Sequence, residues 1–207
     1  MKIPNSRRRY HGFTLVELLV VIAIIAVLAS AGFAAGGAAI QKARKTTALA
    51  TAVALETAVN NFYTEYGSMP KDGDQDTVTV KTDTDLDVLK ALLGMEGTGT
   101  GVLNTRAIKF LSVREGKKKG TGGVNGLVYS GTGGTSIQGL YDPWGGPFYL
   151  AMDLNYDERI TVQPKMGGST ILNGRRAAVW SNGADATGLP GSTGTGKATD
   201  DVKTWGQ

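Results

Sequence analysis

Apolar positions fall along this chain in three regimes. From Phe13 to Ala35 they are almost continuous: FTLVELLVVIAIIAVLASAGFAA holds 23 residues whose single charge is Glu17. As a helix rising about 1.5 Å per residue, the run spans roughly 35 Å, enough to cross the hydrocarbon core of a bilayer. From Ala48 to Tyr66 the run gives way to a stripe. Ala48, Ala52, Leu55, Val59, Phe62 and Tyr66 alternate by four and three, which puts them on one helical face that packs on a sheet or a neighbour. Gly67 and Pro70 then supply stop signals, so a single helix is predicted from about Phe13 to Tyr66. That length suits a spine rather than an ordinary globular helix.

The third regime is short and mixed. Asp83 to Leu93 (DTDLDVLKALL) reads as a second helix, with acids in its first turn and Gly94 at its end. Strand-like runs at Phe148 to Asp153, Arg159 to Gln163 and Ala177 to Ser181 predict a small antiparallel sheet. Asp142, Pro143 and Gly145 to Pro147 read as a turn, with Trp144 and Phe148 as core anchors. The charged stretch Arg114 to Gly126 (REGKKKGTGGVNG) reads as solvated loop, and the Gly/Ser/Thr tail Gly188 to Thr199 as loop of low complexity.

Charge changes this picture in one place. A pI near 9.2 invites a nucleic-acid partner. However, Lys2, Arg7, Arg8 and Arg9 crowd the first twelve residues, and without them 18 basic side chains face 18 acidic ones. No nucleic-acid partner is expected of the remainder. The same cluster holds the N-terminus in the cytoplasm by the positive-inside bias and places Gly36 onward outside. A secretory signal peptide has a shorter apolar stretch ending in small residues, so this apolar run reads as retained. Cysteine is absent and the one histidine, His11, precedes Gly12, which removes thiol and imidazole chemistry from the rest of the chain. With no phosphate loop, nucleotide fingerprint or nucleophile-base set, and with aspartates sitting in turn contexts, the chain reads as a non-enzyme.

The junction GFTLVELLVVIAIIAVLA joins a basic leader ending in Gly12 to Phe13, with Glu17 four positions on. It resembles the prepilin signal of type IV pilins and type II secretion pseudopilins. The resemblance implies cleavage between Gly12 and Phe13 by prepilin peptidase, followed by N-methylation of Phe13. It implies an α+β, pilin-like fold, a long spine helix packed on a small antiparallel β-sheet. On physical grounds, a carboxylate inside a membrane helix costs on the order of 2.5 to 3.5 kcal/mol and marks function. Glu17 is therefore expected to pair with the amino terminus of a neighbouring Phe13 during assembly; the alternative is that it snorkels to the cytoplasmic interface.

Two further blocks carry the resemblance. ALETAVNNFYTEYGSMP (Ala54 to Pro70) is similar to the spine end of the major pseudopilin. DPWGGPFY (Asp142 to Tyr149), SNGAD (Ser181 to Asp185) and TDDVKTW (Thr199 to Trp205) are similar, in that order, to its sheet, calcium loop and closing tryptophan. The likeness implies structural calcium on Asp185 and Asp200, with Asp201 as a further ligand; the insertion Gly188 to Ala198 departs from the family there, and an unliganded acidic turn is the alternative. Calcium takes six to eight oxygens, which such a loop can supply. Asp153, Asn155 and Asp157 also match the first half of an EF-hand-type loop, but Glu158 stands where glycine belongs and Pro164 where glutamate does, so a hairpin turn is expected there.

The resemblance covers about residues 1 to 70 and 140 to 207. It divides the chain into a leader (1–12), a transmembrane half-helix (13–36) and a periplasmic domain (37–207). The implied function is that of a major pseudopilin: a helical homopolymer, anchored in the inner membrane and reaching into the periplasm, that works with minor pseudopilins and an inner-membrane assembly platform. Two alternatives stay open. One is a type IV pilin serving adhesion, motility or DNA uptake, against which the missing cysteines lean. The other is a membrane-anchored periplasmic binding module that never polymerises.

Overall fold

The computed structural model describes residues 13–76, 79–131, 136–162, 169–185 and 201–206, without the side chains at 31–35 and 185. The chain divides into two compact units, Met1–Lys42 and Ala43–Gln207. Helix α1 (Leu15–Tyr66) supplies the first unit and opens the second. In the first unit its apolar side chains face outward at every helical angle, Phe13, Leu18, Ile22, Ile25 and Leu28 among them. Among the described residues no helix is long and apolar enough to cross a membrane. The described side chains of the apolar run end at Ser30.

In the second unit α1 buries the stripe read from its spacing. Ala48, Ala52, Leu55, Val59 and Phe62 are fully buried, and Tyr66 packs half-buried with its hydroxyl donating to Asn104 Oδ1 at 2.7 Å. The helix ends where predicted. Gly67 takes φ +68° and donates its N–H to the Tyr63 carbonyl at 2.8 Å, a left-handed cap that a side chain would strain.

Strand β1 (Val80–Lys81) leads to α2 (Leu86–Leu93), which starts three residues later than the sequence suggested. Residues 81 to 85 close a turn instead: the Lys81 N–H donates to Asp85 Oδ2 at 3.0 Å and the Asp85 N–H to the Lys81 carbonyl at 2.9 Å. The stretch expected to be loop around the lysines is a hairpin, β2 (Lys117–Lys119) on β3 (Gly122–Val124), with Lys118 opposite Gly123. Its cause is tertiary. A Cβ on Gly123 would lie 2.5 Å from both Tyr141 and Val128, so glycine lets this strand close over the next pair. The lysines themselves remain exposed, as a charge run should.

That next pair is β4 (Gly126–Ser130) with β5 (Ser136–Tyr141). Then follow β6 (Tyr149–Met152), β7 (Arg159–Val162), β8 (Thr170–Asn173), β9 (Ala177–Ser181) and β10 (Val202–Lys203). The main sheet is antiparallel in the order β1-β6-β9-β10, while β7 pairs with β8. Residues 153 to 158 therefore connect two sheets; the hairpin turn expected there does not form, because β6 and β7 each pair elsewhere. Side chains alternate across β6 and β9. Leu150, Met152, Ala177 and Val179 join the α1 stripe in the main core, and Ala151, Ala178 and Trp180 face Ile160, Val162 and Trp205 in a second one. Phe148 is fully buried and Trp144 half-buried against the main core, the two anchors anticipated for the turn. The arrangement is α+β, a long N-terminal helix with antiparallel sheets, consistent with a pilin-like fold.

Candidate functional site

The N-terminal site is built by a helix cap. Thr14 precedes the first helical residue, and its N–H and hydroxyl both donate to Glu17 Oε2 at 2.8 Å. The Glu17 N–H in turn donates to Thr14 Oγ1 at 3.2 Å. This reciprocal pair is a capping box, Thr-x-x-Glu, which satisfies donors that a helix start otherwise leaves orphaned. Sequence reasoning assigned Glu17 to assembly and overlooked this local role, although the Thr-x-x-Glu spacing was its signal. The cap sets the carboxylate beside Phe13, which is 82% exposed. Gly12 lies outside the described residues.

The C-terminal site is organised by Asp142, which has no exposed surface. Its Oδ1 accepts the N–H groups of Trp144, Gly145 and Gly146 at 2.8, 2.7 and 2.9 Å. Its Oδ2 accepts the Ser181 hydroxyl at 2.6 Å. Burial pushes the Asp142 carboxyl above its ordinary range, against the opposing pull of the Ser181 and backbone hydrogen bonds. This one carboxylate ties the DPWGG turn to the start of SNGAD.

From Ser181 the chain turns through a 3-10 segment, Gly183–Asp185, and β10 returns antiparallel to β9 with Val202 opposite Ser181. Asp201 is thereby brought to the level of Asn182. Asn182 is 8% exposed and its amide interacts with the Tyr149 hydroxyl, yet its Oδ1 has no hydrogen-bond partner. A buried amide oxygen without a partner, on the residue level with Asp201, is a ligand type that an oxygen-loving cation such as calcium takes. The Asp185 side chain and Asp200 lie outside the described residues, as does the tail expected as loop between 188 and 199.

A third grouping was only half visible beforehand. Carboxylate oxygens of Asp76, Asp153 and Asp157 lie within 4.8 Å of one another. Asp153 is buried, with Oδ1 accepting the Asp157 N–H at 3.1 Å and Oδ2 the Glu158 N–H at 2.9 Å. Asp76 Oδ1 accepts the Leu154 and Asn155 N–H groups at 2.8 and 3.1 Å. Burial raises the Asp153 carboxyl above its ordinary value; hydrogen bonds from residues 158 and 157 oppose this and the Asp76 charge adds to it. Glu158, at the loop position where glycine was wanted, takes φ +61° regardless. Asp76 comes from the segment that matched nothing, so no spacing could have pointed to it.

Residues 7–33 match the family model described as the prokaryotic N-terminal methylation motif. The chain carries a prepilin-type N-terminus. Prepilin-type chains of the pilin and pseudopilin kind are structural subunits, not enzymes, and the motif implies processing by prepilin peptidase and self-polymerisation. The match spans Phe13, Thr14 and Glu17, so the capping box lies inside the matched motif. No curated protein and no solved structure matches the chain.

Proposed function

We propose that this prepilin-like chain is the principal subunit of a type II secretion pseudopilus. Cleavage falls between Gly12 and Phe13, Phe13 is then N-methylated, and Glu17 meets the amino terminus of a neighbouring subunit. The helical run from Phe13 to about Gly36 sits in the inner membrane before assembly, and residues 37–207 lie in the periplasm. Minor pseudopilins and an inner-membrane assembly platform are the remaining partners. The observation that carries this reading over a surface pilus is the way the C-terminus closes. β10 docks on β9, and Trp205, 7% exposed, packs edge-on against Trp180 in a chain without cysteine.

Calcium completes that closure, with Asp185, Asp200 and Asp201 as its carboxylate ligands and the Asn182 oxygen at hand. It would supply structural charge neutralisation and no reaction step. The test is a thermal melt of the chain with calcium and with chelator. At calcium one hundred times its dissociation constant a single native-state site adds about 2.7 kcal/mol. The reading expects the parent to respond and the Asp185→Ala and Asp200→Ala variants to stay silent, with Asp153→Ala still responding. A response lost only in Asp153→Ala would move calcium to the Asp76, Asp153 and Asp157 grouping and remove the support for a pseudopilin-type loop. Long surface fibres in immuno-electron microscopy would favour the pilus.

A further inference from the structure

The mature chain is electrically balanced, but its charges are sorted along it. Residues 72–87 hold six aspartates and one lysine, and residues 106–119 hold six basic side chains and one glutamate. No ion pair among the described residues joins these segments; the pairs that do form include Lys90 with Asp87, Arg106 with Glu65 and Arg175 with Glu56. Lys117, Lys118 and Lys119 are exposed along β2, and Arg114, just before it, extends the row. The acids gather elsewhere. Asp72, Asp85, Asp87 and Glu96, against Lys71 and Lys90, line an open cleft of about 460 Å³ between the start of α2 and the loop 96–103.

Surface patches of opposite charge that no ion pair joins within the described residues, in a chain of no net charge, are complementary to one another between copies. We propose that the Lys117–Lys119 strand of one subunit docks on the acidic cleft around Asp72 of a second copy of this chain. Rim charges of this kind set register and partner choice more than raw affinity. Their attraction decays with a Debye length of about 10 Å at 0.1 M salt and about 3 Å at 1 M. Made in one direction only, the contact is heterologous, and repeating it without closing a ring extends a polymer, the arrangement that the filament reading calls for. The proposal rests on the filament reading only for its setting, since the contact can be read by itself.

The natural absence of cysteine makes the experiment direct. In the full-length membrane-embedded chain, Lys118→Cys and Asp72→Cys are introduced singly and together, and a short bifunctional maleimide is added. The double variant is expected to give a ladder of crosslinked multimers, whose yield falls several-fold between about 0.1 and about 1 M salt. Each single variant is expected to stay almost monomeric. Turning all three lysines to glutamate should abolish filaments, and adding Asp72→Lys with Asp74→Lys should restore them. Circular dichroism is expected to stay unchanged, because these side chains are exposed.

The proposal is overturned if the double variant gives no ladder, or if the glutamate variant assembles as the parent does. In that second case the filament reading stands alone. A ladder without parental filaments would keep the contact and remove the filament. If the lysines instead serve an anionic lipid surface, vesicles of phosphatidylglycerol will bind the parent but not the glutamate variant while no ladder forms, and the self-contact is wrong.

Discussion

Within α1, the turns from Leu15 to Leu28 and those from Ala48 to Phe62 obey opposite rules. In the first stretch every large apolar side chain is exposed, from Leu15 at 80% to Val21 at 45%. In the second, Leu55 and Val59 are fully buried while Val53, off the stripe, is 47% exposed. One stretch therefore meets its own sheet along a single face, and the other leaves its apolar surface uncovered by the described residues. The difference teaches that period reports the surroundings. A stripe means the chain supplies the partner, and an all-round apolar surface means that lipid or other copies do. Relative to water, each large side chain so covered contributes about 1.5 to 3 kcal/mol, which makes leaving this stretch uncovered in water strongly unfavourable.

That comparison breaks if the two stretches respond alike to truncation. Phe62→Ala should remove about 3 to 5 kcal/mol from unfolding of the 43–207 unit in urea, because it opens a cavity beneath the sheet. Ile24→Ala should leave the same transition within about 0.5 kcal/mol and reduce assembly instead. A matching loss in both would show that the outer stretch is packed within the chain.

The next largest effect tests whether the second unit closes by itself. Asp142→Ala strips an acceptor from three backbone N–H groups and the Ser181 hydroxyl, and should cost on the order of 3 kcal/mol in the same urea titration. An unchanged midpoint would mean the turn is not what ties the C-terminal loop down. At the other end of the chain, Glu17 can be separated into cap and charge. Glutamine retains the capping box and loses the charge, so Glu17→Gln should start the helix normally by circular dichroism yet leave processed subunits unassembled. Normal filaments from Glu17→Gln would reduce the residue to a helix cap.

The smallest expected effect is a slope. The Asp142 carboxyl is raised in the folded chain, so the folded state binds its proton more tightly than the unfolded one. Its contribution is fully present below the ordinary carboxylate range and is lost as pH rises through the raised value. Asp142→Asn mimics the protonated form, accepting from the same N–H groups and donating to Ser181. The stability difference between the parent and this variant should therefore shrink on acidification, measured by urea melts between pH 7 and pH 4. A difference constant with pH would remove burial as the dominant influence on this group.

Much of the architecture was readable because it is local. The stripe on α1, its stop at Gly67, the Ala177–Ser181 strand and the Asp142 turn all follow from spacing and residue type within a few positions. The capping box at Thr14 and Glu17 was equally local and simply outweighed by the charge itself. What escaped was non-local. β2 and β3 have lysine and glycine sequences with little strand preference, and they pair because Gly123 fits under Tyr141. Asp76 reaches Asp153 from a segment with no recognisable pattern.

The sequence alone determined the prepilin-type N-terminus, the length and the two-regime character of α1, and the absence of thiol and imidazole chemistry beyond the leader. These depend on near neighbours: a periodicity, a charge cluster, a residue type that is present or missing. The tertiary structure alone decided that Asp142 bonds Ser181, that Asp201 is brought level with Asn182, that three aspartates converge, and that no ion pair among the described residues joins the basic segment to the acidic one. Each of those facts depends on strand register and on which loops the sheet brings together, and register is set by the summed packing of distant residues rather than by any of them singly.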